Sequence, residues 1–333
     1  MVIEENASLK HHNSFGINAN AAYLSAATSQ RELVDALDFA DAKQIPVCIL
    51  GEGTNVLFTR DYPGLVVQMA MTGVELDHDS ARVKVAAGEN WHRLVETCMR
   101  NQLHGLENLA LIPGTAGAAP VQNIGAYGIE LSAYVDRVDV LDAATGRQQV
   151  IAASDCEFAY RDSLFKRANS SNLLITAVHL QLSQDWQPNT SYGALNYALE
   201  GSQPAPQELF DTVCGIRRSK LPDPKQVGSA GSFFKNPMVS EGKLEQLRTD
   251  YPEIVSFDAD QPGFKKLPAA WLLDQLGWRG RQRGTAAVSQ EHALVLINPG
   301  QATGEDIYLL AQEMSSNVLN EFGIALQPEV KIL

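Results

Sequence analysis

Ile112-Pro113-Gly114-Thr115-Ala116-Gly117-Ala118-Ala119-Pro120-Val121-Gln122-Asn123-Ile124-Gly125-Ala126-Tyr127-Gly128 carries almost no large side chains. Burial free energy scales with apolar area, so a packed core gains little from such a run. The economical reading is a backbone brought close to something large and flat, such as the pyrophosphate and ring system of a cofactor. A glycine-rich crossing of two backbones is the structural alternative.

Working outward, an earlier stretch has the same character. The apolar strand Val47-Cys48-Ile49-Leu50 runs into Gly51-Glu52-Gly53-Thr54-Asn55. Small, φ-permissive residues after a strand let backbone N–H groups approach an anion. The pattern is neither the dinucleotide G-x-G-x-x-G nor a P-loop, since no lysine follows. Taken alone, a tight strand-to-loop turn accounts for it at least as well.

The flanking chain alternates helix and strand signals. Ser29 and Glu32 have capping-box spacing, ahead of Leu33, Ala36, Leu37 and Ala40 on one helical face. Strands are expected over 64–69 and 83–86, and Asn90 caps a helix that turns Leu94, Val95, Cys98 and Met99 inward. Residues 109–131 show no helical period. Further strands are expected over 135–141, 149–152 and 173–182, and residues 182–206 read as a long polar surface loop. Leu221-Pro222-Asp223-Pro224 is a rigid connector and a domain boundary. Beyond it, a short helix follows Pro268 and closes at Gly277, a strand covers 293–297, and a long helix runs from Thr303 to Phe322 with Gly323 as its stop.

Composition is that of an ordinary globular protein: 333 residues, 45% hydrophobic and 20% charged, long enough for two or three domains. The formal charge of −13 opposes nucleic-acid binding. It leaves room for a small anionic substrate, because Arg217, Arg218, Lys220, Lys225 and Lys235 form a local basic cluster against Asp223 alone. Such a cluster, without context, is a solvated face. Cys48, Cys98, Cys156 and Cys214 are widely spaced and read as buried small hydrophobes, and no metal-ligand spacing occurs. No apolar run has membrane-spanning length and the first residues lack a secretory pattern, so a cytoplasmic protein with no membrane partner is expected.

A third motif is Gly228-Ser229-Ala230-Gly231-Ser232-Phe233-Phe234-Lys235-Asn236-Pro237. Two aromatics anchor the strand next to Ser232. There is no G-x-S-x-G elbow and no histidine near in sequence to act as base, which disfavours a nucleophile. A hydroxyl that donates a proton, polarised by the basic cluster, fits better.

Residues 51–55, 112–128, Tyr160-Arg161-Asp162-Ser163, 231–237 and Pro328-Glu329-Val330 together resemble the landmarks of the UDP-N-acetylenolpyruvoylglucosamine reductases, in order and over nearly the whole chain. The resemblance implies an α+β fold. A two-part FAD-binding region of the vanillyl-alcohol-oxidase (PCMH-type) superfamily would be followed by a C-terminal α+β substrate domain. The division expected is 1–70 plus 320–333, then 71–221, for the two FAD-binding parts, and 222–319 for the UDP-sugar domain.

The same resemblance implies a reaction. NADPH gives a hydride to non-covalent FAD, and flavin N5 passes it to C3 of UDP-N-acetylglucosamine enolpyruvate, yielding UDP-N-acetylmuramate for peptidoglycan and the cell wall. That places the protein in cell shape, cell division and the cell cycle, and a monomer is expected. Ser232 matches the acid that protonates C2, and Arg161 and Glu329 match the groups that stabilise the enolate. A bare carboxylate would repel an enolate, so Glu329 must be protonated or well hydrogen-bonded. Tyr160, Tyr192, Lys220 and Asn236 match substrate contacts, and Tyr192 lies in the 182–206 loop that marks the longer type of the family and covers the diphosphate. Cofactor contacts fall on Gly51, Glu52, Gly53, Thr54 and Asn55, then Gly114, Thr115, Gly117, Ala118, Gln122, Asn123, Gly125, Ala126, Tyr127 and Gly128, with no metal. The chain departs from the family pattern at Glu52 and Thr54, where glycine and serine are common. It also has Trp278-Arg279 where lysine is usual, and arginine and lysine differ in contact geometry.

Two other classes remain to be weighed: an FAD oxidase of small alcohols on the same scaffold, and a nucleotide-sugar binder without chemistry. Ser232, Lys235-Asn236-Pro237 and Glu329 oppose the first, and Arg161, Ser232 and Glu329 together oppose the second. Residues 51–55 and 112–128 hold no histidine or cysteine for covalent flavin attachment.

Overall fold

The computed structural model describes residues 1–224, 226–259 and 261–333. Lys225 of the basic cluster therefore lies outside the described residues, as does Asp260. Two compact units emerge. The first comprises Met1–Ala7, Ala21–Gly53 and Tyr62–Arg218, and the second Ser8–Asn20, Thr54–Asp61 and Ser219–Leu333.

In the first unit, four strands lie in the order Ile3–Ser8, Asn20–Ala27, Tyr62–Met69, Val47–Leu50, and the last three are mutually parallel. Leu65, Val66 and Val67 are fully buried, as expected where a parallel strand is covered on both faces. Helix α1 (Gln30–Lys43) turns Leu33, Ala36 and Ala40 inward. Ser29 accepts from the Glu32 N–H, as the spacing predicts, and the Glu32 carboxylate accepts from both the N–H and the hydroxyl of Thr28. A five-stranded antiparallel sheet follows, in the order Arg147–Ala152, Val135–Asp142, Leu173–Gln181, Arg82–Ala86, Val74–Asp77. Its edge strand Arg147–Ala152 is exposed and polar at its start, which discourages further pairing. Helix α2 (Trp91–Arg100) begins at Asn90, whose side chain accepts from the Arg93 N–H.

Two features of this unit differ from expectation. Residues 182–206 are not all loop, because helix α3 (Gly193–Ala198) interrupts them and buries Leu195 completely. Helix α4 (Pro206–Lys220) was not expected, although Leu209, Val213 and Cys214 fill one buried face. Gly215 in its middle and the polar residues at its start dilute the periodic signal. All four cysteines are free and buried, and burial pushes the Cys98 thiol up to about 12 and Cys156 to about 11.

The second unit holds a four-stranded sheet in the order Gly228–Ser232, Val295–Asn298, Ala286–Val288, Gln282–Arg283. A three-stranded sheet orders Met238–Ser240, Phe264–Lys266, Phe257–Asp258. Helices α5 (Glu241–Asp250), α6 (Ala269–Gln275) and α7 (Gly304–Phe322) complete it. Helix α7 has a reciprocal capping box between Thr303 and Asp306, and Gly323 ends it in the left-handed conformation. The chain end Lys331–Ile332 pairs in parallel with Val56–Leu57. At Gly228 a Cβ would fall 2.1 Å from the Phe15 carbonyl oxygen, so only glycine lets the 8–20 segment run against this strand. Asn298 Nδ2 donates to the same carbonyl at 2.9 Å.

Candidate active site

In the first unit the two small-residue segments meet. A Cβ on Gly51 would come within 2.6 Å of Thr115 Oγ1, and one on Gly117 within 2.5 Å of the Ala87 Cβ. Glu52 clamps the junction, accepting from Asn90 Nδ2 at 2.7 Å and from the Gly114 N–H at 3.2 Å. Its carboxylate is thus occupied within the protein. Gly53 and Gly114 both need positive φ, at 65° and 117°. Ala118 lies exposed at the edge of this junction, while Thr115 and Gly117 are buried.

The remainder of the 112–128 segment gathers the polar residues. Asn123 is fully buried, and its side chain is committed to the protein. Its Nδ2 donates to Glu130 at 2.8 Å and to the Ala159 carbonyl at 3.2 Å, and its Oδ1 accepts from the Ser132 N–H at 2.9 Å. The bond to Ala159 holds a tight turn in which Ala159 and Asp162 exchange backbone hydrogen bonds at 3.1 Å, leaving Tyr160 and Arg161 at its tip. A second pin is the Ser163 hydroxyl, which donates to the Val121 carbonyl at 2.6 Å beside Gln122. Arg161 Nη2 donates to the Gly125 carbonyl at 2.8 Å, and its guanidinium lies 5.4 Å from the centre of the Tyr160 ring.

Leu111, Asn123, Tyr127 and Arg161 all have φ between 44° and 58°. Each such non-glycine residue costs on the order of 1–3 kcal/mol and persists only where its surroundings hold it, and such strain gathers at functional sites. Tyr127 packs edge-on against Tyr192, with ring centroids 5.5 Å apart, next to Ala126 and the exposed Gly128. Burial raises the Tyr127 phenol above its usual range and depresses Arg217, whose Nε donates to the Leu111 carbonyl at 3.2 Å. The first unit thus brings together Tyr160, Arg161, Tyr192 and residues 121–128.

The second unit assembles the rest. Ser232 ends its strand opposite Val295, held between Gly231, at φ 72°, and the buried Phe233 and Phe234. Glu329 donates its backbone N–H to the Phe233 carbonyl at 2.7 Å, and its own carbonyl accepts from Asn55 Nδ2 at 3.1 Å. Thr54, beside Asn55, opens this unit's Thr54–Asp61 stretch. The Lys235 N–H donates to the Gln327 carbonyl at 2.9 Å, which extends the pairing. Asn236 Oδ1 accepts from the Ala269 N–H at 3.0 Å, so this expected substrate contact also holds the start of α6. Lys220 is the exposed last residue of α4. Arg279 is taken up by Asp274 in a two-pronged pair at 2.5 and 2.6 Å.

Sequence reasoning passed over Glu107 and Asn108, which are almost fully buried just ahead of the glycine-rich run. The signal was there: an acid and an amide inside the apolar stretch from Leu103 to Ile112. Among the described residues no group of three or more His, Cys, Asp and Glu could hold a metal ion, and no helix is long and apolar enough to cross a membrane.

Comparison with known proteins accords with this geometry. A family model described as UDP-N-acetylenolpyruvoylglucosamine reductase, C-terminal domain, matches residues 223–333, and one described as FAD binding domain matches residues 21–152. The reductase of Escherichia coli (strain K12) is 45% identical over 331 residues, covering 98% of this chain and 96% of its own length. That of Shewanella sediminis is 42% identical over 335 residues, covering 100% of this chain and 97% of its own length. The crystal structure of the Thermus caldophilus reductase shares the fold, with a TM-score of 0.72 at 24% identity, covering 100% of this chain and 99% of that one. The α+β fold is therefore the expected one, with an FAD-binding region and a reductase C-terminal domain. The chain belongs to the UDP-N-acetylenolpyruvoylglucosamine reductases, a family of FAD-binding oxidoreductases.

Proposed function

We propose that the chain reduces UDP-N-acetylglucosamine enolpyruvate to UDP-N-acetylmuramate, with non-covalent FAD and with NADPH as hydride donor. The observation that carries this reading, beyond family membership, is the backbone bond from Glu329 to Phe233, which joins the C-terminal segment to the residue after Ser232. The first unit's residues fit a large flat cofactor. Residues 51–53 and 114–118 converge with Glu52 as the one large side chain, its carboxylate bonded to Asn90 and Gly114, and the matched FAD-binding domain spans both. Gly51, Gly53, Gly114, Thr115, Gly117 and Ala118 would line the FAD site and admit it closely, with 122–128 beside them.

When bound, FAD supplies two-electron chemistry, taking hydride from NADPH and giving it to C3 of the enol ether. The chain's own residues handle the charge and the proton that follow. Negative charge grows at C2 and its carboxylate, and Arg161, with its guanidinium fixed by Gly125 and Tyr160, offsets it. Glu329 shares that task through hydrogen bonding. Ser232 donates the proton to C2, which requires an oriented hydroxyl and nearby positive charge. Tyr192 covers the diphosphate, Lys220 and Asn236 contact phosphate or sugar, and Tyr160 is a further substrate contact.

The corresponding division assigns 1–70 with 320–333, and 71–221, to cofactor binding and 222–319 to the UDP-sugar. The product enters peptidoglycan synthesis in the cytoplasm, and the acting species is a monomer. An anaerobic titration tests the whole reading. The yellow protein should bleach with NADPH and recover its colour with the enolpyruvyl sugar. Bleaching by a small alcohol instead would make it an oxidase, and a protein that stays yellow would be a binder alone.

A further inference from the structure

Tyr192 stands on a loop that is tied down by two residues to which the proposed reaction assigns no part. Glu107 is 1% exposed, and one oxygen of its carboxylate accepts from the Gly105 N–H at 2.8 Å and from the Trp186 indole N–H at 3.1 Å. The other oxygen lies 3.1 Å from His104 Nδ1. Asn108 is 3% exposed, and its Nδ2 donates to the Tyr127 carbonyl and to the Asn189 carbonyl, each at 2.9 Å. A single amide thus joins the 112–128 segment to the loop. Beyond Tyr192, α3 buries Leu195, and Leu199 just after it is buried too.

The loop is therefore pinned at Trp186, at Asn189 and at Leu195, and Tyr192 forms the crest between them, 45% exposed. Burying a carboxylate and an amide for packing alone is unfavourable, because an apolar residue of similar size would cost no desolvation. The partners described for these two side chains lie in the loop, at Trp186 and Asn189, in the turn at His104 and Gly105, or at Tyr127 of the glycine-rich segment. A loop held in place in advance loses less conformational freedom when a ligand binds.

We propose that Glu107 and Asn108 are positioning residues for the Tyr192 loop, holding it ready over the UDP-sugar diphosphate and coupling it through Tyr127 to the cofactor-binding segment. The inference rests on the reading that Tyr192 covers that diphosphate. It assigns no chemistry to either residue.

The test compares Asn108→Asp, Tyr192→Phe and the double variant in the FAD-loaded protein. Asn108→Asp keeps the volume but turns both donated hydrogen bonds into repulsion between oxygens. The KM for the enolpyruvyl UDP-sugar should rise roughly 2- to 13-fold in either single variant, the fold-change that corresponds to a net hydrogen bond. In Asn108→Asp, flavin reduction by NADPH and kcat should stay near normal, a split that a general folding defect would not produce. The double variant should be no worse than the poorer single one, because both act through the same side chain. Amide hydrogen exchange should quicken in residues 187–193 of Asn108→Asp but not in Val135–Asp142. Should Asn108→Asp fail to fold, Trp186→Phe removes the indole N–H, keeps an aromatic ring and should move KM and exchange in the same direction.

A normal KM with unchanged exchange in Asn108→Asp, alongside a raised KM in Tyr192→Phe, overturns the inference alone. Fully additive effects in the double variant overturn it as well. A normal KM in Tyr192→Phe overturns the underlying reading of the loop and the inference with it.

Discussion

The backbone N–H of Glu329 donates to the carbonyl of Phe233 at 2.7 Å, so the C-terminal segment is fastened to the residue that follows Ser232. Asn55 Nδ2 holds the other side of Glu329 through its carbonyl, and Lys331–Ile332 pairs with Val56–Leu57 just beyond. Both catalytic candidates of the second unit are thereby set on backbone hydrogen bonds rather than on free loops.

For Ser232→Ala, folding and FAD content should survive, since almost no volume is lost. Bleaching by NADPH should stay near normal. Reoxidation by the enolpyruvyl sugar should slow roughly 10²–10⁴-fold, the usual reach of a positioned acid. Stopped-flow absorbance separates the steps. Equal slowing of both would reduce Ser232 to a positioning role.

Arg161 and Glu329 are expected to matter once charge has developed. Arg161→Ala and Glu329→Ala should lower kcat far more than they raise KM. Steady-state kinetics decide the point, and a large KM defect with normal kcat would make both ground-state binding groups instead.

Tyr192→Phe should raise the substrate KM by the equivalent of about 0.5–1.5 kcal/mol, the net value of one hydrogen bond. Flavin reduction by NADPH should change less. An unaltered KM would place the tyrosine away from the diphosphate.

Flavin released from the denatured protein should be FAD, free of any covalent link. Gly117→Ala puts a Cβ 2.5 Å from the Ala87 Cβ and would force the cradle open. Its ratio of flavin to protein absorbance should fall. A fully loaded Gly117→Ala protein, or release of FMN, would contradict the assignment of these segments.

His92 carries a pH dependence. Its ring is stacked on Phe210, and its Nδ1 accepts from the Leu111 N–H at 3.1 Å. Burial first, then Arg218 and Arg217, lower its pKa from 6.5, with Glu96 opposing them. The unfolded chain therefore takes up the proton more readily than the folded one. Stability is full above the unfolded value and declines as pH falls below 6.5 toward the lowered folded pKa. His92→Gln should flatten that part of a denaturation series run against pH. An unchanged slope would show that other groups carry it.

Local signals were legible where one residue type controls one geometry. Asn90, Thr303 and Gly323 mark helix ends as expected, because capping depends on neighbours a few residues away. Helix α4 escaped notice because its buried face, Leu209, Val213 and Cys214, is short and Gly215 follows it. Helix α3 escaped because a six-residue helix is held by burial of Leu195 rather than by its own propensity.

The amino-acid order alone determined the two small-residue segments, the buried cysteines, the family landmarks and the identity of the residues to test. Each of these is a matter of side-chain size, charge or short-range spacing. Only the tertiary structure decided what those residues touch. It showed that Glu52 and Asn123 spend their side chains on the scaffold and that Asp274 takes up Arg279. It set Arg161 against the Gly125 carbonyl, fastened Glu329 to Phe233 and made Asn108 the link between Tyr127 and Asn189. Such partners lie far apart along the chain, and strand periods of 2 and helix periods of 3.6 carry no information about them. Packing of whole elements brings them together, and only then do distance and burial turn a list of residues into a site.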